Sequence, residues 1–101
     1  MKITEAEIFE QLKSVVDPEM MVNIVDLGLI YRVDVHKKKV EIDFTLTYPG
    51  CRVGPQIQKD IISTIKDNNG TSRVKAKLVW DPPWNPARMS EEARITLGYP
   101  V

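Results

Sequence analysis

The feature that most restricts the fold is a strand that alternates strictly and then breaks just before the only cysteine of the chain. From Val40 to Thr47, apolar residues take every second position, and charged residues or threonines take the others. This period of two is typical of a strand whose sheet has one face covered by a core. Pro49 and Gly50 then end the strand, and helical spacing starts beyond Cys51. The cysteine is therefore expected at a strand-to-helix junction.

A first helix is signalled near the N-terminus. Thr4 and Glu7 form a capping box, and Pro18 stops the helix because proline lacks a backbone N–H. The apolar stripe of this helix recurs at helical spacing and consists of Ile8, Phe9, Leu12, Val15 and Val16.

The remaining elements complete the order α-β-β-α-β-α. They are a strand over Leu29–His36, a strand over Val40–Thr47, a helix over Val53–Asp67, a strand over Arg73–Trp80, and a short helix from its Ser90 cap through Leu97. This order predicts an α/β (α+β) fold, a two-layer sandwich in which two helices pack on one face of a three-stranded mixed sheet. The other face of the sheet is polar, and it is either solvated or a subunit interface. The pattern leaves the strand order open.

Composition excludes several functional classes. With 101 residues, the chain is expected to form one domain over residues 1–101. Its 14 basic and 14 acidic side chains cancel, which argues against nucleic-acid or membrane partners. No apolar run approaches the roughly 18 residues of a membrane span, and no signal peptide is recognisable. A cytoplasmic location is therefore expected.

Known catalytic and metal-binding motifs are missing from the sequence. It contains no glycine-rich phosphate loop, no CxxC, no HExxH and no GxSxG. Its one histidine, His36, is expected near the lysine-rich turn, at the opposite end of the sheet from Cys51. One chain therefore cannot supply the ligands of a structural zinc site or the four thiolates of an iron–sulfur cluster.

Topology predicts that three loops meet at one end of the sheet. The second strand returns to the end at which the first begins, and a β-α-β crossover makes the third strand parallel to the second. The segments expected at this end are Asp17–Glu19, Cys51 and Trp80–Trp84. Because loops on a rigid scaffold are where functional sites tend to be built, this end is the candidate site.

Each candidate residue has a functional and a structural interpretation. Cys51 is either a small core hydrophobe or a reactive thiolate, with its pKa lowered by the helix N-terminus and by Arg52. Asp17 and Glu19 are either turn residues or a general base and oxygen ligands for iron. Thr47 either hydrogen-bonds the sulfur or a ligand, or serves strand propensity alone.

The two tryptophans bracket a proline-rich loop and receive different predictions. Trp80 completes the inward row of the third strand, which favours core packing. Trp84 is either packed within its loop or exposed as an anchor for a protein partner.

Five motifs occur in an order that resembles a known family. They are Asp17–Glu19, Val25–Tyr31, Thr47–Cys51, Trp80–Trp84 and Met89–Arg94. Together they look like the metal–sulfur cluster biosynthesis family, which includes SufT-like and PaaD-like proteins. The resemblance spans about Thr4 to Gly98. It implies a small α/β domain that helps to assemble iron–sulfur clusters or to deliver them to recipient proteins.

The resemblance also implies a site and identifies two departures from the family pattern. The implied site residues are Cys51, Asp17, Glu19 and Thr47. Many relatives have a second threonine where this chain has Tyr48, and many have proline where it has Arg52. The departures leave open whether Tyr48 takes part in the site, and whether Arg52 strengthens the thiolate or contacts a partner.

The leading hypothesis is an accessory factor for iron–sulfur assembly or transfer, with Cys51 as thiolate ligand or transient acceptor. Because one chain has one thiol, a transient cluster or iron must be bridged by a second copy or by a client. The expected partners are thus the assembly machinery, recipient apo-proteins or a homodimer, with no metal required for folding. One rival is a cofactor-free adaptor that docks a recipient through the Trp84 loop or the polar sheet face. The other is a thiol enzyme, which the missing nearby histidine disfavours.

Overall fold

The computed structural model describes residues 3–99 and has the predicted α+β architecture. The helices are α1 (Glu5–Leu12), α2 (Gly54–Asn69) and α3 (Glu91–Leu97), with a 3-10 turn at Pro86–Arg88. The strands are β1 (Val16–Asp17), β2 (Val22–Asn23), β3 (Ile30–His36), β4 (Lys39–Phe44) and β5 (Val74–Leu78). No helix among residues 3–99 is long and apolar enough to cross a membrane.

The main sheet is mixed, as predicted, and its strand order is β3-β4-β5. β3 and β4 are antiparallel, with Val33 opposite Ile42, while β4 and β5 are parallel, with Ile42 opposite Ala76. β4 is therefore the central strand. Its C-terminal end and that of β5 lie at the same edge, which positions the segments that follow them together.

The core lies between the sheet and the two longer helices. The inward residues of α1 and α2 are fully buried: Ile8, Leu12, Ile57, Ile61 and Ile65. They pack in one cluster with the inward row of the sheet, which includes Val33, Val40, Ile42 and Phe44. The outward face instead bears cross-strand ion pairs, such as Arg32 Nε to Asp43 Oδ2 at 2.9 Å. Burial of one face and charge on the other account for the alternation in β3 and β4.

The first helix is shorter than predicted, and the residues of its predicted last turn belong to a small hairpin instead. α1 ends at Leu12, and Val16 and Asp17 pair with Val22 and Asn23 as β1 and β2. The side chain of Val16 is 43% exposed, whereas Asp17 is fully buried. The inclusion of Val16 in the helical stripe is therefore wrong, because β-branched residues suit an extended pair as readily as a helix.

Two strands also end earlier than predicted. β4 stops at Phe44, and Thr45 and Leu46 are then both buried, which breaks the alternation. β5 stops at Leu78, and Trp80 is 45% exposed. The prediction that Trp80 packs in the core is wrong because the sheet has no partner residue for β5 beyond Phe44.

Candidate functional site

Asp17 fixes the loop that carries Glu19. The Asp17 carboxylate is fully buried, and its Oδ1 accepts hydrogen bonds from the backbone N–H groups of Glu19 at 2.8 Å and Met20 at 3.3 Å. The backbone N–H of Met21 donates to the Asp17 carbonyl oxygen at 2.8 Å. This is the local turn that aspartate favours. Asp17 is thus a positioning residue within the β1–β2 hairpin.

The hairpin places Glu19 directly against Cys51. The Cys51 thiol donates to Glu19 Oε1, with Sγ 2.9 Å from the oxygen. The Tyr48 hydroxyl lies 3.1 Å from each of the two Glu19 carboxylate oxygens. The predicted meeting of the Asp17–Glu19 loop with Cys51 is therefore confirmed. Tyr48, whose role the sequence left open, is the third member of the group.

The pKa of the Cys51 thiol is raised, whereas its position before a helix predicts a lowered pKa. Burial is the largest cause, since the residue is only 8% exposed. The hydrogen bond to the Glu19 carboxylate is the next cause, because it favours the protonated thiol. The backbone N–H of Val53 favours the thiolate but is outweighed. This direction is opposite to the one expected from the helix N-terminus alone, and the reactivity of Cys51 stays a prediction.

The Glu19 carboxylate also affects Tyr48. The hydrogen bond from the Tyr48 hydroxyl to Glu19 raises the pKa of the tyrosine, because the carboxylate opposes formation of a second negative charge. The Tyr48 side chain is 49% exposed, so its ring forms part of the surface beside the thiol. No periodic signal identifies this role, because Tyr48 lies in an irregular segment between β4 and α2.

The threonines at the end of β4 are arranged differently from the prediction. Thr47 is half-buried, and its hydroxyl does not hydrogen-bond the Cys51 sulfur. Thr45 was expected on the polar face, but it is 1% exposed, and its hydroxyl has no hydrogen-bond partner among residues 3–99. The proposed role of Thr47 toward a bound ligand stays a prediction.

The third loop is attached to the segment before β3. The Trp84 indole N–H donates to the Leu27 carbonyl oxygen at 2.8 Å, and its ring packs against the core. The Tyr31 hydroxyl donates to the Pro82 carbonyl oxygen at 2.9 Å. Trp84 is thus half-buried, while Arg52 is exposed on the first turn after the thiol. The assignment of Trp84 and Arg52 to partner binding stays a prediction.

One chain provides an incomplete donor set for a metal. No three His, Cys, Asp or Glu side chains are arranged to hold a metal ion in the part of the chain that the structure describes. Cys51 and Glu19 offer a sulfur and an oxygen side by side. Asp17 adds a buried Oδ2 that no group among residues 3–99 hydrogen-bonds. His36 ends β3 beside the turn to β4, as predicted. A thiolate and a carboxylate suit iron, but other ligands must come from elsewhere.

The raised pKa of Cys51 leads to a test by alkylation. Because the thiolate is the reacting form, the alkylation rate should rise with pH through a midpoint above the ordinary pKa of cysteine. Glu19→Gln removes the carboxylate that favours the protonated thiol, so the midpoint should move down and alkylation near neutral pH should accelerate. Glu91→Gln, at an exposed position of α3, is the matched control. An unchanged midpoint in Glu19→Gln would mean that Glu19 does not hold the thiol proton.

Comparison with known proteins places this chain in a family. Residues 5–78 match the profile of a family described as "Iron-sulfur cluster assembly protein". A "Fe-S protein maturation auxiliary factor" of Porphyromonas gingivalis is 42% identical over 97 residues, covering 95% of this chain and 92% of the relative. The Staphylococcus aureus "Fe-S protein maturation auxiliary factor SufT" is 40% identical over 85 residues, covering 83% of this chain and 97% of the relative.

A solved structure agrees with these sequence relatives. The crystal structure of a domain of unknown function from Bacillus anthracis superposes with a TM-score of 0.90 at 36% identity. The match covers 93% of this chain and 91% of that one. On these similarities in sequence and fold, this chain belongs to the iron–sulfur cluster assembly protein family.

Proposed function

We propose that this chain is a maturation factor for iron–sulfur proteins that holds iron or an iron–sulfur cluster transiently through the Cys51 sulfur. The observation that carries the proposal is the contact between the Cys51 thiol and the Glu19 carboxylate, 2.9 Å apart. The names of the relatives, which are maturation factors for Fe-S proteins, support the same role.

The resting site favours a carrier over a thiol enzyme. A nucleophilic cysteine needs an available thiolate, whereas burial and Glu19 raise the pKa of Cys51. A metal ion changes this balance, because coordination displaces the proton from a thiol. Once that proton has left for water, the Glu19 oxygen that accepted the thiol hydrogen bond would be free to act as a second ligand.

Two neighbouring side chains orient these donors. The Tyr48 hydroxyl hydrogen-bonds both oxygens of Glu19, which limits rotation of the carboxylate. The Asp17 carboxylate holds the backbone of the Glu19 loop. Such outer contacts set the geometry of ligands without touching the metal. The chain therefore supplies a prepared pair of ligands.

An incomplete ligand set suits transfer. An iron–sulfur cluster is usually held by four protein ligands, and this chain offers two adjacent ones. A recipient protein that presents more thiolates would therefore remove the cargo readily. Tight storage in one chain would require donors that residues 3–99 do not bring together.

The proposal is tested by anaerobic reconstitution with ferrous iron and sulfide. Wild-type protein should show a thiolate-to-iron absorption band, and Cys51→Ser should lose it, because the sequence contains no other cysteine. The serine variant keeps the side-chain size, so its circular dichroism should match that of wild type. Glu91→Gln, which lies on α3, should keep the full band. An identical band in Cys51→Ser would refute the role of the sulfur.

A further inference from the structure

β5 forms one edge of the main sheet, and half of its backbone groups point away from the other strands. In the order β3-β4-β5, its neighbour among residues 3–99 is β4 alone. Arg73 and Val79, which flank β5, direct their backbone hydrogen bonds at β4. Because this direction alternates along a parallel strand, the odd-numbered residues of β5 face β4. The backbone groups of Val74, Ala76 and Leu78 therefore face outward, where a further strand can pair with them.

One side chain from α2 already uses this edge. The Gln58 amide Nε2 donates to the Ala76 carbonyl oxygen at 2.7 Å, in the position that a backbone N–H of an added strand would take. The hydrogen bond confirms that Ala76 faces outward. Among residues 3–99, no hydrogen bond uses the outward groups of Val74 or Leu78. Gln58 is exposed, so its amide is able to rotate away from a ligand.

A groove along the outer flank of α2 lies beside the same edge. Its volume is about 340 Å³, and it is lined by Pro55, Gln58, Lys59, Ile62, Ser63 and Lys66. Gln58 both lines the groove and hydrogen-bonds Ala76, so the groove and the strand edge form one continuous surface. The half-buried Ile62 gives this surface an apolar part.

The surface is basic. Lys59 and Lys66 lie in the groove, and Lys75 and Lys77 extend from β5 onto the outward face of the sheet. None of the four forms an ion pair with a carboxylate among residues 3–99. The β4 carboxylates opposite the two β5 lysines pair with other cations instead. Four positive charges are thus available to an acidic ligand.

We propose that the edge of β5 and the groove of α2 bind an extended acidic segment of a partner protein, which adds a fourth strand to the sheet. Strand addition gives affinity through backbone hydrogen bonds and selectivity through alternate side chains. In the added strand, residues on the outward face of the sheet would lie next to Lys75 and Lys77. Residues on the other face would lie next to Ile62. The segment that fits therefore alternates acidic and apolar residues.

A second copy of this chain is a poor occupant of the same edge. Two β5 strands paired edge to edge would place Lys75 and Lys77 of each copy near those of the other, and like charges opposite each other destabilise a sheet. Lysines on an edge strand commonly discourage such pairing. Their effect reverses for an acidic strand, because each lysine then attracts the ligand. The lysines therefore select an acidic partner against further copies of the chain.

This docking surface goes beyond the proposed function, because it needs no metal at Cys51. The two are nevertheless related in space. Since β5 is parallel to β4, it runs toward the end of the sheet at which Cys51 follows β4. A segment bound along β5 would therefore have one of its ends at the same end of the sheet as the candidate ligands.

A synthetic peptide tests strand addition in the metal-free protein. The probe is a capped peptide of about eight residues in which glutamate alternates with valine. We expect it to bind in a titration followed by NMR. At saturation it should slow amide hydrogen exchange at Val74 and Leu78, because their outward N–H groups become hydrogen-bonded. A peptide with lysine in place of glutamate should not bind.

A pair of variants tests the role of the lysines. Lys75→Gln/Lys77→Gln removes two attractions, so it should weaken binding of the acidic peptide about fivefold. Lys37→Gln/Lys38→Gln makes the same charge change in the exposed β3–β4 turn and should bind as wild type does. All four positions are exposed, and circular dichroism of both variants should match that of wild type.

Three results would overturn the docking surface. The first is equal binding of the acidic and the basic peptide. The second is binding of the acidic peptide without slower exchange at Val74 and Leu78, which would mean adsorption to lysines in place of strand addition. The third is equal affinity of wild type and Lys75→Gln/Lys77→Gln. Because every measurement uses metal-free protein, each of these results leaves the proposed role of Cys51 intact.

Discussion

Replacing Gly28 with alanine should lower the free energy of unfolding by about 3 kcal/mol or more. Gly28 has a φ of +76°, and a Cβ placed there would lie 2.3 Å from the backbone oxygen of Arg88. That oxygen belongs to the 3-10 turn Pro86–Arg88, so it cannot rotate away as a flexible side chain would. The added methyl group must displace the whole C-terminal segment from the loop before β3.

A matched glycine separates this clash from backbone strain. Gly98 has a φ of +81°, but a Cβ there would meet nothing within 4 Å. Gly98→Ala should therefore cost only the strain of the left-handed conformation, about 1 kcal/mol. Urea denaturation of both variants measures the difference directly. Equal losses in the two variants would show that the Arg88 segment moves aside freely, contrary to the expected clash.

Most of the fold was predictable because its elements follow one period over many residues. The alternation in β3 and β4 and the isoleucine spacing of α2 each extend over several residues, so single exceptions do not obscure them. The approach of Glu19 to Cys51 was predictable for another reason. Because β4 runs antiparallel to β3, the segment after β4 lies at the same end of the sheet as the loop before β3. The β1–β2 hairpin was missed because strands of two residues have no measurable period.

The chemistry of Cys51 was less predictable than its position. A helix N-terminus close in sequence favours a thiolate, but burial and a carboxylate partner favour the thiol. The sequence indicates the helix N-terminus. It does not indicate the burial or the carboxylate partner, because both depend on how the hairpin folds onto the site. Tyr48 is a further example. Its hydroxyl reaches Glu19 only because the Asp17 loop turns that carboxylate toward it.

The tryptophans show how the end of a sheet limits a pattern. The alternating row of β5 extends to Trp80 in the sequence, but β4 offers no residue beyond Phe44 to pair with it. Trp80 is consequently 45% exposed, while Trp84 packs against the core and its indole N–H donates to the Leu27 carbonyl oxygen. Trp80 therefore lacks the core position that alternation favours, whereas Trp84, for which packing and exposure were both open, packs against the core.

The different burial of Trp80 and Trp84 leads to the second large prediction. Trp84→Ala should lower the free energy of unfolding by about 3 kcal/mol, because it removes a packed indole and leaves the Leu27 carbonyl without its donor. Trp80→Ala should change it by less than about 0.5 kcal/mol, since that side chain is largely outside the core. Denaturant unfolding of the two variants measures this contrast. Similar losses would mean that the Trp84 contacts contribute little to stability.

The same pair of variants tests the adaptor hypothesis only if stability is controlled. A recipient that no longer binds Trp84→Ala has lost either an anchor residue or a correctly folded loop, and the structure favours the second explanation. Capture should therefore be measured at a temperature where Trp84→Ala remains folded by circular dichroism. An adaptor that uses this loop should then lose more binding in Trp80→Ala than in Trp84→Ala, because exposed aromatic residues serve as anchors. Equal binding by both variants and wild type would exclude the tryptophan loop and leave the polar face of the sheet as the docking surface of the adaptor hypothesis.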